Sequence, residues 1–233
     1  MRYSAVLFDM DGVVIDTHHS VTAFWNDLAN QHQVQLADEI FAQHIYGTPA
    51  MHTLATCFPQ LSPVECQAVL ESLTRYENQL AYTEVPGVIG FIRSLRQNNI
   101  QTALVTSAEP RKVQNVLNQL GLHDLFSATV TSNDVKKGKP DPQCYLLGAS
   151  HLKKSPEQCI VFEDAISGVK AAVAAGTTCI GIQQAAYAAP LFQVGARYVA
   201  PDFTVISLDA SHTEDDSLHL RIGTEQPLLF TSD

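Results

Sequence analysis

One short apolar run, Ala5-Val6-Leu7-Phe8, reads as a buried strand, yet residues 16–83 behind it contain no second strand-like segment. A lone strand is not stable, so this one must pair with strands that lie much later in the chain. Between them the pattern is helical. From Thr17 to Val34, Val21, Phe24, Trp25, Leu28 and Ala29 recur at three- and four-residue steps, and further helices are expected over Asp38–Tyr46, Ala50–Cys57 and Pro63–Tyr82. Gly47-Thr48-Pro49 and Phe58-Pro59 break the pattern.

After Val85-Pro86-Gly87 the rhythm alternates. Helices are expected at Val88–Gln97, Arg111–Leu120, Gln143–His151 and Ile166–Ala175, and strands at Thr102–Thr106, Ala128–Thr131, Cys159–Phe162 and Thr178–Ile182. Strands separated by helices of this length build a parallel sheet covered on both faces. The expected fold is therefore α/β, a Rossmann-like parallel sheet core with an inserted all-helical cap. Residues 1–15 and 84–205 form the core and 16–83 the cap. Residues 206–233 form a C-terminal extension, in which Ser211–Ser217 is an acidic loop and Leu218–Ile222 alternates like an edge strand.

In open parallel sheets ligands bind at the carboxyl ends of the strands. Here those ends carry Asp9-Met10-Asp11, Thr106-Ser107 and Glu163-Asp164, and the loop after Ala128–Thr131 carries Lys139-Pro140-Asp141-Pro142. Clustered carboxylates on one rim need a cation, and hard oxygen donors suit Mg²⁺. A hydroxyl and a lysine beside them would serve a phosphoryl group. Such a site is expected in an otherwise unsuitable setting: 14 basic against 24 acidic residues give a net charge of −10. An acidic chain without a basic run is a poor nucleic-acid or anionic-membrane binder. Its 233 residues contain no apolar run of about 18, the length a membrane span needs. No signal peptide is evident at the N-terminus, and the five scattered cysteines read as reduced thiols, so a cytoplasmic location is expected. Nothing demands an oligomer, and a monomer is favoured.

Four segments together resemble the haloacid dehalogenase superfamily: Phe8-Asp9-Met10-Asp11-Gly12-Val13; Val105-Thr106-Ser107; Lys139-Pro140-Asp141-Pro142; and Phe162-Glu163-Asp164 with Ser167-Gly168-Val169. They stand in the family's order and spacing. The helical insert is similar to the cap of the subgroup containing β-phosphoglucomutases and sugar-phosphate phosphatases. The resemblance implies a hydrolase that works through an aspartyl-phosphate, with Asp9 as nucleophile and Asp11 as acid and base. It implies Mg²⁺ held by Asp9, Asp164 and the Asp11 carbonyl, with Glu163 contributing through water. Thr106 would hold the phosphate and Lys139 would offset its charge. Ser107, Gly47 and Thr48 are further substrate-binding candidates; Ser107 serves equally as a helix cap, and Asp16 as a hinge residue or a surface acid.

Metal-free dehalogenases of the superfamily lack the second acid, so Asp11 argues against that activity. β-Phosphoglucomutases carry a His in the first cap helix and an Arg after the cap's Gly turn, where this chain has Val21 and Ala50, with His18 and His19 close by. The expected activity is thus hydrolysis of a small phosphorylated metabolite, a sugar or polyol phosphate. The alternatives are a phosphosugar mutase and a non-catalytic phosphate-binding regulator. Receiver modules also place acids, Thr and Lys at strand ends, but they are about half this length and carry no cap.

Overall fold

The computed structural model describes residues 2–210, 218–225 and 227–230. Six parallel strands form the main sheet: β2 (Ala5–Phe8), β3 (Gln101–Val105), β4 (Ala128–Val130), β5 (Cys159–Glu163), β6 (Thr178–Ile182) and β7 (Tyr198–Ala200). Their order is β4-β3-β2-β5-β6-β7, so the chain moves outward from β2 on one side and then returns to build the other. The carboxyl end of β2 is therefore the topological switch point, where the connections diverge and leave a crevice. Phe8 is in register with both Leu104 and Phe162.

Alternation along these buried strands separates two apolar layers. Val6, Phe8, Leu104, Ile160 and Phe162 face α5 (Val88–Gln97) and α6 (Pro110–Leu120). Here Phe8 stacks on Phe162 with ring centroids 5.3 Å apart. Ala5, Leu7, Ala103, Val105 and Val161 face α7 (Gln143–His151), α8 (Ile166–Ala174) and α9 (Ala189–Gln193).

The insert holds α1 (His18–Gln31), α2 (Asp38–Ile40), α3 (Ala50–Cys57) and α4 (Pro63–Gln79), around its own core of Trp25, Leu28, Phe41, Leu54 and Phe58. Ser62 and Glu65 form a reciprocal capping box that starts α4. The helix expected over Asp38–Tyr46 is one α-turn followed by a π-helical stretch, Phe41–Ile45. That wider winding buries Phe41 and Ile45 together. The two crossings between core and insert run side by side: the Asp16 N–H donates to the Thr83 carbonyl at 2.9 Å and the Val85 N–H to the Val14 carbonyl at 3.1 Å.

Beyond the main sheet, β8 (Ile206–Ala210), β9 (Leu218–Ile222) and β10 (Leu228–Phe230) join β1 (Arg2–Tyr3) in a four-stranded sheet of order β1-β10-β9-β8. β9 is thus an inner strand, not an edge. Its alternation reflects one buried face, with Leu220 and Ile222 in the core layer of α5 and Arg221 exposed. The acidic loop expected at 211–217 lies outside the described residues.

Candidate active site

The register at the switch point makes Asp9, Thr106 and Glu163-Asp164 leave the sheet as neighbours. Asp9 is buried, its N–H donating to the Phe162 carbonyl at 3.0 Å. Lys139 reaches it from the loop after β4: Nζ donates to Asp9 Oδ1 at 2.5 Å and to Glu163 Oε1 at 2.7 Å. Glu163 is held from every side. Tyr145 Oη donates to the same Oε1 at 2.7 Å, and the Asp164 and Ala165 N–H groups donate to Oε2 at 3.0 and 3.1 Å. The other carboxylate, Asp164, accepts at Oδ2 from His18 Nε2 at 3.0 Å, while its buried Oδ1 has no hydrogen-bond partner.

These carboxylates sit in one another's field. Burial pushes the Asp9 carboxyl well above its usual range even against Lys139, and Glu163 and Asp164 add to the rise. Burial raises Asp164 as well, opposed by His18. It works against the charge on Lys139 too, but Asp9 and Glu163 outweigh it and keep that ammonium protonated. Asp9, Glu163 and Asp164 each offer an oxygen within 4.8 Å of the others. A buried, acid-rich oxygen set with one orphaned carboxylate oxygen fits a divalent cation. Only glycine fits at position 12, where φ is +77° and an added Cβ would collide with the Asp164 carboxylate.

Thr106 is buried at the end of β3, its Oγ1 accepting from the Ala108 N–H at 3.0 Å, which leaves its own O–H to donate elsewhere. Half-buried Asp11 and Thr106 both line a cavity of about 320 Å³ between core and cap. Asp9, Thr106, Ser107, Gly47, Thr48 and Asp164 all line that cavity. The cap turn at Gly47 docks on the core: Ser107 Oγ and Ser167 Oγ both donate to the Gly47 carbonyl at 3.4 Å. Gly47 has φ +65°, and a Cβ there would lie 2.6 Å from the Ala165 Cβ. Asp16 is exposed; its backbone, not its carboxylate, joins the crossing.

Sequence reasoning missed Lys112 and Tyr145, and it named His18 only for its closeness to Val21, not for a contact with Asp164. A buried tyrosine hydroxyl needs a partner, and Tyr145 stands in the first turn of α7, just after the loop that carries Lys139, so it was open to suspicion. His18 opens α1 five residues after the first signature, but its partner Asp164 lies in the loop after β5, and Lys112 meets Asp11 across 101 positions of sequence. No local pattern marks either contact.

The family model for haloacid dehalogenase-like hydrolases matches residues 3–176. Hexitol phosphatase A of Escherichia coli (strain K12) is 33% identical over 186 residues, which cover 78% of this chain and 84% of that protein. The β-phosphoglucomutase of Bacillus subtilis (strain 168) is 27% identical over 229 residues, covering 93% and 97%. Among solved structures, a HAD hydrolase of family IA, variant 3, from Entamoeba histolytica HM-1:IMSS superposes with a TM-score of 0.75 at 27% identity, over 89% of this chain and 96% of that one. The sheet order, the helical insert and the acids at the switch point agree with this match over most of the chain, which therefore belongs to the haloacid dehalogenase-like hydrolases.

Proposed function

We propose that this chain is a Mg²⁺-dependent phosphatase that hydrolyses the monophosphate of a small sugar or polyol through an aspartyl-phosphate. One observation carries the reading: among the described residues lining the cavity, those of the cap wall include no lysine or arginine, and the two cations that line it, Arg111 and Lys112, both belong to α6 of the core. That wall is built of Val21, Phe24, Ile45, Leu70, Leu73 and neighbouring hydroxyls such as Ser20 and Thr74. It suits a neutral leaving group with apolar and hydroxyl surface, and the hexitol phosphatase named above acts on a molecule of that class.

Asp9, Asp164 and the Asp11 carbonyl would hold the metal, with Glu163 reaching it only through water because its oxygens already accept four donors. When bound, Mg²⁺ neutralises the carboxylates and polarises the phosphoryl group. Asp9 attacks phosphorus as a carboxylate, which Lys139 favours. The bond from phosphorus to the sugar oxygen breaks, and that oxygen takes the Asp11 proton and leaves as an alcohol. Asp11, now a carboxylate, takes a proton from water as the water oxygen attacks phosphorus. The phosphorus–Asp9 bond breaks and inorganic phosphate departs. Thr106 donates to a non-bridging oxygen, and Lys139 offsets charge as it develops. Gly47, Thr48 and Ser107 close over the leaving group, and the docked cap excludes bulk water. Free thiols, three of them buried, suit a cytoplasmic enzyme.

A phosphosugar mutase is the second reading, favoured by the near-full-length match to the Bacillus subtilis enzyme. A mutase must grip a bisphosphate at both ends. Val21 and Ala50 line the cavity where the resemblance would place a His and an Arg, so those two groups of a mutase are absent at these positions, which supports the phosphatase reading. The discriminating experiment is phosphate release from hexitol phosphates, fructose 1-phosphate and glucose 6-phosphate, with Mg²⁺ and with chelator. A further well holds β-glucose 1-phosphate with trace bisphosphate. Mg²⁺-dependent phosphate release is expected, abolished by chelator. Glucose 6-phosphate formed without free phosphate would mean a mutase, and silence of the folded protein would favour a regulator.

A further inference from the structure

Lys112 stands in the first turn of α6, on the core, but it serves two domains. Its Nζ lies 2.8 Å from Asp11 Oδ1 and 2.9 Å from Glu77 Oε1, and Glu77 belongs to the last turn of α4 in the cap. The lysine side chain is 12% exposed, so water screens these pairs little. Burial works against the ammonium, yet Asp11 and Glu77 outweigh it and hold Lys112 in its charged form. Two turns along the same helix, Gln119 repeats the grip: its Oε1 accepts from the Tyr82 N–H at 3.1 Å and its Nε2 donates to the Leu80 carbonyl at 3.1 Å. One face of α6 is thus the seat for the base of the cap, residues 77–82, and its charged end touches the acid of the proposed reaction.

We propose that Lys112 is a positioning residue: anchored to the cap by Glu77, it fixes the Asp11 carboxyl group through Oδ1, so that Asp11 is aimed at the leaving oxygen only while the base of the cap is seated. This rests on the role of Asp11 proposed above. The cation also steadies the carboxylate that Asp11 becomes once its proton has gone to the departing alcohol. A misplacement of about 1 Å in such a group costs on the order of 100-fold in rate, so a lysine that touches no substrate controls the step through geometry.

The test exploits the leaving group. An alkoxide needs a proton as it departs, whereas p-nitrophenolate leaves unaided. The ratio kcat/KM reports only the steps up to the first release and so excludes the later hydrolysis of the phosphoenzyme. Lys112→Met is expected to lower kcat/KM by about 10- to 100-fold for the best sugar phosphate of the panel. For p-nitrophenyl phosphate the change should stay within about threefold. Glu77→Gln leaves the Lys112–Asp11 contact in place and should cost less on the sugar phosphate than Lys112→Met. Lys112→Arg, which keeps the charge and changes its geometry, should fall between wild type and Lys112→Met with the same bias between substrates. It also carries the test if Lys112→Met does not fold. Equal losses on both substrates would overturn the inference, because they mean general damage to the site. So would wild-type activity in the double variant Lys112→Met, Glu77→Gln, since Lys112 would then merely neutralise Glu77. A wild-type protein inert on every phosphate ester would instead overturn the phosphatase reading itself.

Discussion

The core edge and the cap wall face each other across one cavity and are built on opposite principles. On the core side, Asp9, Lys139, Glu163 and Tyr145 are buried and locked by short hydrogen bonds, each side chain held by the next. On the cap side the lining is mostly apolar, with hydroxyls, and polar contact with the core includes the Gly47 carbonyl, His18 on Asp164, Glu77 on Lys112, and Leu80 and Tyr82 on Gln119. A locked cluster of buried charges keeps its geometry but cannot adapt, because an unpartnered charge there is costly. A wall held at a few points can lift, admit substrate and reseat. On the function proposed above, the core carries the phosphoryl chemistry and the cap selects the leaving group.

Substitutions at the core edge should therefore have the largest effects on rate and should not distinguish substrates. Asp9→Asn is expected to abolish turnover, a loss of at least about 1,000-fold on every phosphate ester, with the fold retained by circular dichroism. A wild-type rate in that variant would break the comparison at its root. Lys139→Ala should cost about 100- to 1,000-fold, again uniformly; a change within twofold would refute its role.

Cap substitutions should be milder and selective. Gly47→Ala forces a left-handed backbone on a residue with a Cβ and presses that Cβ on Ala165. The cost, about 1–3 kcal/mol, should appear as a roughly 10-fold loss of kcat/KM on sugar phosphates and a smaller loss on p-nitrophenyl phosphate. The smallest effect is chemical. Burial pushes the Cys144 thiol up to about 11 and Cys159 up to about 12, and Cys179 is pushed well above its usual value. Alkylation proceeds through the thiolate, whose fraction rises with pH, so at pH 8 iodoacetamide should modify the half-buried cap thiols Cys57 and Cys66 first. Peptide mapping that finds the core thiols equally reactive would mean a looser core than described.

The core was legible in the sequence where the pattern is local. Ala5–Phe8, Thr102–Val105, Cys159–Phe162 and Thr178–Ile182 are apolar runs bounded by polar turns, and each is a strand. Elements too short for a period escaped: β7 with Tyr198–Ala200, and α9. The π-helical stretch at Phe41–Ile45 escaped because its winding is set by packing inside the cap, not by its own residues. The candidate site was legible only as strand-end chemistry. Which oxygen of Glu163 meets Tyr145, or that Lys112 spans Asp11 and Glu77, depends on contacts made after the chain has folded. β9 shows the same limit: alternation reveals a half-buried strand but not its place in the sheet.

The proposed reaction turns on Asp9 carrying the phosphoryl group in transit. The most direct test is to quench the wild-type protein in acid during turnover with Mg²⁺ and a good sugar phosphate, reduce it with borohydride and map the peptides. Borohydride converts an acyl phosphate to an alcohol, so homoserine is expected at position 9, dependent on metal and substrate and absent from Asp9→Asn. Turnover without any modification at position 9, or with modification at another acid, would contradict the account.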